Sequence, residues 1–129
     1  MSATRILSIA LALAGPAAAV AEPEPEPDGE ALYRQHCLVC HQADGWGVPN
    51  MQPELWNSPR ANGDADAMIL FLLTGSASLP PSERRADNDM PGFDYLRDEE
   101  LAAVISYVRT HFDNDGGPVS VSDVRAARR

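Results

Sequence analysis

Cys37 and Cys40 are the chain's only cysteines, and they stand in CLVCH with His41 directly after the second. A Cys-x-x-Cys can cycle as a thioredoxin-like dithiol, supply half of a zinc site or, when His follows, anchor a c-type haem. Haem attachment needs two thiols spaced to meet two vinyl groups and a nitrogen held under the iron. A helix that presents Cys37 and Cys40 at one edge, with His41 next to them, meets that need. Zinc needs two further Cys or His ligands, and only His36 and His111 remain. The thioredoxin reading needs a strand-helix context, which the flanking residues lack. A structural disulfide across two intervening residues closes too small a ring to constrain the unfolded chain much. Haem attachment is the reading that fits.

A second axial ligand would set what such an iron does. A Met thioether opposite His raises the potential and closes the iron to small molecules, which suits electron transfer. Of the four Met, Met1 belongs to the leader described below and Met68 sits in the apolar run AMILFLLTG, as a core residue would. Met51, in VPNMQPEL just behind the motif, is placed to line the haem edge. Met90, in DNDMPGF, lies in a polar loop with no core reason to be there, and Pro91 stiffens that loop. Met90 is therefore the expected ligand, with Pro91 beside the cofactor.

The elements that must position these residues are helical. Asp28 is a fair N-cap for a first helix over about 28–40, with Leu32, Tyr33 and His36 at helical spacing. Residues 42–63 are dense in Gly, Pro and Asn and read as irregular, with a short turn near 51–55. A second helix, capped by Asp64 or Asp66, ends near Gly75. In LRDEELAAVISYVRTHF, Asp98 is the expected cap, Glu99 and Glu100 lie in the favourable first turn, and Leu101, Val104, Ile105 and Val108 share a face. The tail 113–129 reads as a Gly-Pro break and a short polar helix. Three main helices joined by long loops are an unusual ratio unless the loops serve a function, and wrapping a flat apolar cofactor is one. The expected fold class is all-α.

The first 21 residues read as a secretory signal peptide: one Arg, an apolar core over 6–15, and the small-x-small pattern Ala19-Val20-Ala21. That core is short of the ~20 residues of a span, so a membrane role follows only if the signal stays uncleaved. Residues 22–28, in EPEPEPDGE, form an acidic polyproline-like linker. The net charge is −9, or −10 once Arg5 leaves with the signal, and all ten basic residues are Arg. Such a chain is a poor ligand for nucleic acid or an anionic membrane surface, and it would be steered to a positive docking face.

CLVCH near the start of the exported chain and MPGF before the last long helix make the sequence resemble a class I c-type cytochrome over 28–112. Gly29 and Tyr33 match that family's Gly and aromatic on the first helix, and Tyr107 matches the aromatic on the last. Gly45, Gly47, Val48 and Pro49 match its post-motif loop. In the family a proline carbonyl there accepts a hydrogen bond from the ligand His, and the match gives that role to Pro49. The C-terminal ending is similar to that of small cytochromes serving periplasmic dehydrogenases. Asn50, Gln52, Glu54 and Trp56 depart from the pattern without touching the ligands.

The resemblance implies a cytochrome c domain over 29–112 with one haem c, attached through Cys37 and Cys40 and ligated by His41 and Met90. Pro49, Met51, Leu55 and Pro91 would line it. It implies a periplasmic electron carrier with no catalysis of its own. A periplasmic dehydrogenase would be the donor and an oxidase or another cytochrome the acceptor, with the chain a free monomer or a dehydrogenase subunit. Arg34, Arg60, Arg84, Arg85 and Arg97 are candidates for the haem propionates, each more simply read as a surface residue. The alternative is a haem sensor or peroxidase-like protein with an exchangeable sixth ligand.

Overall fold

The computed structural model describes residues 24–84 and 88–129. Residues 1–21, read above as a signal peptide, the first two residues of the expected linker and Arg85 lie outside the described residues. Among the described residues the regular structure is helical, with one isolated antiparallel bridge, Val48 to Gln52. No helix among them is long and apolar enough to cross a membrane.

The first helix, α1 (Gly29–His36), starts where the sequence places it: the Asp28 carboxylate accepts from the amides of Glu30 and Ala31. It stops earlier than the expected Cys40. Cys37 leaves the helical path at φ −114°, and α2 (Leu38–His41) follows as a separate turn. α3 (Pro59–Asn62) was not expected, although Ser58 before a helix-starting Pro59 and Gly63 after Asn62 are ordinary start and stop signals. α4 (Ala65–Thr74) is capped by the Asp64 carboxylate on the Ala67 amide at 2.8 Å. It buries Met68, Ile69, Leu72 and Leu73.

α5 (Asp98–Thr110) has Arg97, not Asp98, at its cap position, and Glu100 reaches back to accept from the Arg97 amide at 2.9 Å. Asp98 is thereby the first helical residue. It faces α6 (Val121–Ala127), where Arg128 Nε and Arg125 Nε donate to its two carboxylate oxygens at 2.7 and 3.3 Å. α6 is more than a polar tail. Val124 is fully buried, Val119 nearly so, and Ser106 Oγ on α5 pairs with the backbone of Val119. One contiguous apolar cluster joins α1, α4, α5 and α6, so side chains supply more core than the loop content implies.

α1 crosses α5 with almost nothing between the backbones. A Cβ at Gly29 would run into the Ala103 carbonyl and lie 3.0 Å from Tyr107 Cβ. Tyr33, 2% exposed, fills the crossing, its ring 5.4 Å from that of Tyr107 and 5.2 Å from that of Phe112. Its hydroxyl donates to the Gln42 carbonyl at 2.6 Å, which ties α1 to the residue just past the motif. Burial, and next the neighbouring Cys37, push the Tyr33 hydroxyl well above the usual value of 10.

Two outcomes are expected in denaturant unfolding. Gly29→Ala should cost about 1–3 kcal/mol by overpacking, because a helix-propensity gain of at most ~1 kcal/mol at the first helical turn does not offset a backbone clash. Tyr33→Phe should cost about 1 kcal/mol for the lost hydrogen bond and flatten the alkaline limb. Above pH 10 the unfolded Tyr33 gives up its proton while the folded one keeps it, so wild-type stability falls as pH rises. An unchanged alkaline slope in the variant would assign that loss to another group.

Candidate haem site

CLVCH is held as a single tight turn. The Cys37 amide donates to Tyr33 O at 2.8 Å, and the Cys37 carbonyl accepts from both Cys40 and His41 amides, at 3.1 and 2.9 Å. Both thiols are unpaired and half-buried. Burial, with some repulsion from Cys40, pushes the Cys37 thiol up to about 11. A redox-active pair instead uses a lowered thiol pKa. Among the described residues no group of three or more His, Cys, Asp or Glu is placed to share a metal ion, so the pair has no partners for a zinc site.

His41 is buried, and its Nδ1 lies 3.2 Å from the Pro53 carbonyl oxygen. A carbonyl can only accept, so Nδ1 carries the proton and Nε2 keeps its lone pair. Burial lowers the pKa below the ordinary imidazole value despite that hydrogen bond, which favours the neutral ring. This neutral tautomer, backed by a carbonyl, is how proteins present a histidine to a metal.

The proline is a correction. Pro49 sits exposed in the turn closed by the Val48–Gln52 bridge, and it is Pro53, four residues on, that meets the ring. The chain reverses at 48–52, which carries Pro53 back beside Gly47. A Cβ at Gly47, whose φ is +66°, would stand 2.6 Å from Gln52 O and 2.9 Å from Pro53 O. The carbonyl therefore reaches His41 only because Gly47 has no side chain. Further on, the Leu55 amide donates to Gly45 O at 2.7 Å, and Leu55 packs half-buried on the core. Met51 is 47% exposed.

Met90 is held by its backbone at the C-terminal end of α4. Its amide donates to Ser76 Oγ at 2.7 Å, and its carbonyl accepts from the Ser76 amide at 2.9 Å. Gly75, at φ +74°, lets the two segments touch: a Cβ there would lie 2.5 Å from Met90 O and 2.7 Å from the Gly92 amide nitrogen. Phe93 N then donates to Leu72 O at 2.7 Å. The Met90 side chain is half-buried on the core edge, and Pro91 is exposed beside it. Sequence reasoning missed Ser76 and Pro53. The only signals were the Gly before Ser76 and the second proline of the post-motif loop.

Four of the five arginines named for the propionates lie among the described residues, and each has a protein partner there. Arg34 pairs with Glu30 at 2.9 Å, Arg97 with Glu24 at 2.9 Å, and Arg84 donates to Ala77 O and Leu79 O. Arg60 lies over the Phe71 ring at 4.0 Å.

Two free thiols three residues apart, a neutral imidazole with its metal-binding nitrogen uncommitted among the described residues, and a thioether held on a braced loop form a donor set that fits a covalently attached haem. The comparisons agree. The family model described as Cytochrome c matches residues 27–112. The chain is 33% identical over 103 residues to the cytochrome c subunit of the quinone alcohol dehydrogenase of Gluconobacter oxydans (strain 621H), covering 78% of this chain and 22% of that subunit. It is 33% identical over 112 residues to the fructose dehydrogenase cytochrome subunit of Gluconobacter japonicus, with the same coverages. Cytochrome c-552 of Thermus thermophilus is 33% identical over 88 residues, 64% of this chain and 66% of that protein. The chain thus spans about a fifth of the length of the dehydrogenase subunits that it matches. What CLVCH and the helical architecture imply is met by a family match over most of the described residues: the chain belongs to the cytochrome c family, all-α electron carriers built round covalently attached haem c.

Proposed function

We propose that the chain is a periplasmic carrier of single electrons, with haem attached through Cys37 and Cys40, His41 Nε2 and Met90 Sδ as axial ligands, Pro53 in place of Pro49 behind the histidine, and Met51, Leu55 and Pro91 around the cofactor. The observation that carries this reading is the His41 ring, neutral and fixed by Pro53 with Nε2 left for the iron. When bound, the haem supplies a one-electron Fe(III)/Fe(II) couple whose potential a Met ligand raises. The chain's own residues do the rest. The paired Ser76–Met90 backbone keeps the thioether from swinging away, and the Pro53 carbonyl keeps the imidazole in one tautomer. Neither residue moves a proton during transfer, so the role is carriage and not catalysis.

Residues 1–21 serve as the signal peptide, 22–28 as the linker, 29–112 as the haem domain and 113–129 as an appended tail. The donor is a periplasmic dehydrogenase, whether the chain is a free carrier or a subunit. The names of several relatives support this, being cytochrome subunits of alcohol, fructose and gluconate dehydrogenases. The acceptor is an oxidase or a further cytochrome. The acidic surface suits partners with a positive docking face.

The test is the visible spectrum of the reduced, exported protein with and without carbon monoxide. A sharp c-type spectrum that the gas leaves unchanged is expected; a rapid shift would mean an open iron and sensing or peroxide chemistry. Met90→Ala should keep the covalent haem, admit carbon monoxide and lower the midpoint potential by a sizeable part of the ~0.8 V over which axial ligands set haem potentials. An unmoved potential would give the ligand role to another residue.

A further inference from the structure

Asn114 lies just past the stretch that the family model matches, and it is 8% exposed. Its side chain uses its full hydrogen-bonding capacity. Nδ2 donates to Leu55 O and to Val108 O, both at 2.9 Å, while Oδ1 accepts from the Ser58 amide at 2.9 Å and from Asn62 Nδ2 at 3.1 Å. Val108 belongs to α5; Leu55 and Ser58 belong to the loop that begins at Pro53. Two neighbouring contacts run the same way, from the Asn57 amide to Phe112 O and from the Asp115 amide to Asn62 Oδ1.

Pro53 has no N–H of its own, so its carbonyl is placed by what holds the residues after it. Leu55 is held on both sides: its amide by Gly45 O, its carbonyl by Asn114. We infer that Asn114 is a positioning residue for the axial histidine. By fixing Leu55 and Ser58 to the end of α5, it sets the Pro53 carbonyl against His41 Nδ1 and so tunes the haem potential. A carbonyl held close makes the imidazole more electron-rich, which favours Fe(III) and lowers the potential; a loosened loop weakens that contact and raises it. This rests on the proposed ligation by His41.

The test compares wild type, Asn114→Ala and Val124→Ala, all as haem proteins, the last being a cavity variant in α6 that destabilises without touching this loop. Asn114→Ala should raise the midpoint potential. By NMR, the His41 Nδ1 proton should exchange about tenfold faster, the factor for losing one ordinary hydrogen bond. Val124→Ala should leave both readouts in place. Faster Ser58 amide exchange in Asn114→Ala with an unmoved potential and ring proton would overturn the inference, leaving Asn114 a purely structural cap. Wild type supplies a variant-free arm: the Ser58 amide and the His41 ring proton should open with the same denaturant dependence. A ring proton released only by global unfolding, while Ser58 opens locally, would also overturn it. A reduced protein whose iron lacks a histidine ligand by spectroscopy would instead refute the proposed function.

Discussion

The contact of backbone on backbone where Gly29 passes Ala103 governs the placement of the rest. It sets how closely α1 can approach α5, and α1 leads directly into the cysteine motif. Because Tyr33 fills the crossing and donates to Gln42 O, the same packing that joins the two helices also determines where the motif turn stops. Phe112, in contact with Tyr33, lies in the left-handed region at φ 57° and sits against Gly45, where a Cβ would come within 2.5 Å of its ring. Core packing therefore reaches the post-motif loop through a short, stiff chain of aromatic contacts. A well-packed interior passes displacement along instead of absorbing it.

The loops around His41 and Met90 have no ladder of their own to satisfy backbone polar groups, and a buried group left unpaired costs ~1–3 kcal/mol. A few side chains take over that work. Ser76 holds the Met90 loop, and Asn114 holds the segment behind His41. Arg109, 4% exposed, donates to the carbonyls of Gly63, Gly116 and Gly117, joining the start of α4 to the turn after α5. Among the described residues no buried side-chain nitrogen or oxygen lacks a partner. That completeness is what allows irregular segments to hold His41 and Met90 in fixed positions.

Surface charge contributes differently. The ion pairs of Arg34, Arg97 and Arg125 are largely exposed, and each is worth little in water. Arg128 is the exception in kind. It is less exposed, joins Asp98 at 2.7 Å and also donates to Asp94 O and Leu96 O, so it clamps α6 over the entry to α5. The net charge of −9 acts at longer range, on which partners approach and how fast, and not on the fold.

The sequence by itself determined the helical class, the cofactor chemistry of CLVCH and the extents of α4 and α5 to within a residue or two, because caps, periodicity and covalent spacing are local properties. The break at Cys37, the start of α5 one residue past Arg97, and α3 lay within reach of local signals but required weighing neighbouring residues against each other. Pro53 in place of Pro49 was not legible, since which carbonyl meets His41 depends on a chain reversal at 48–52 and on the space left by Gly47. The same is true of Ser76 and Asn114, whose partners lie 14 and 59 residues away. Such pairings exist only once separate segments are brought together, and the tertiary structure alone decides them.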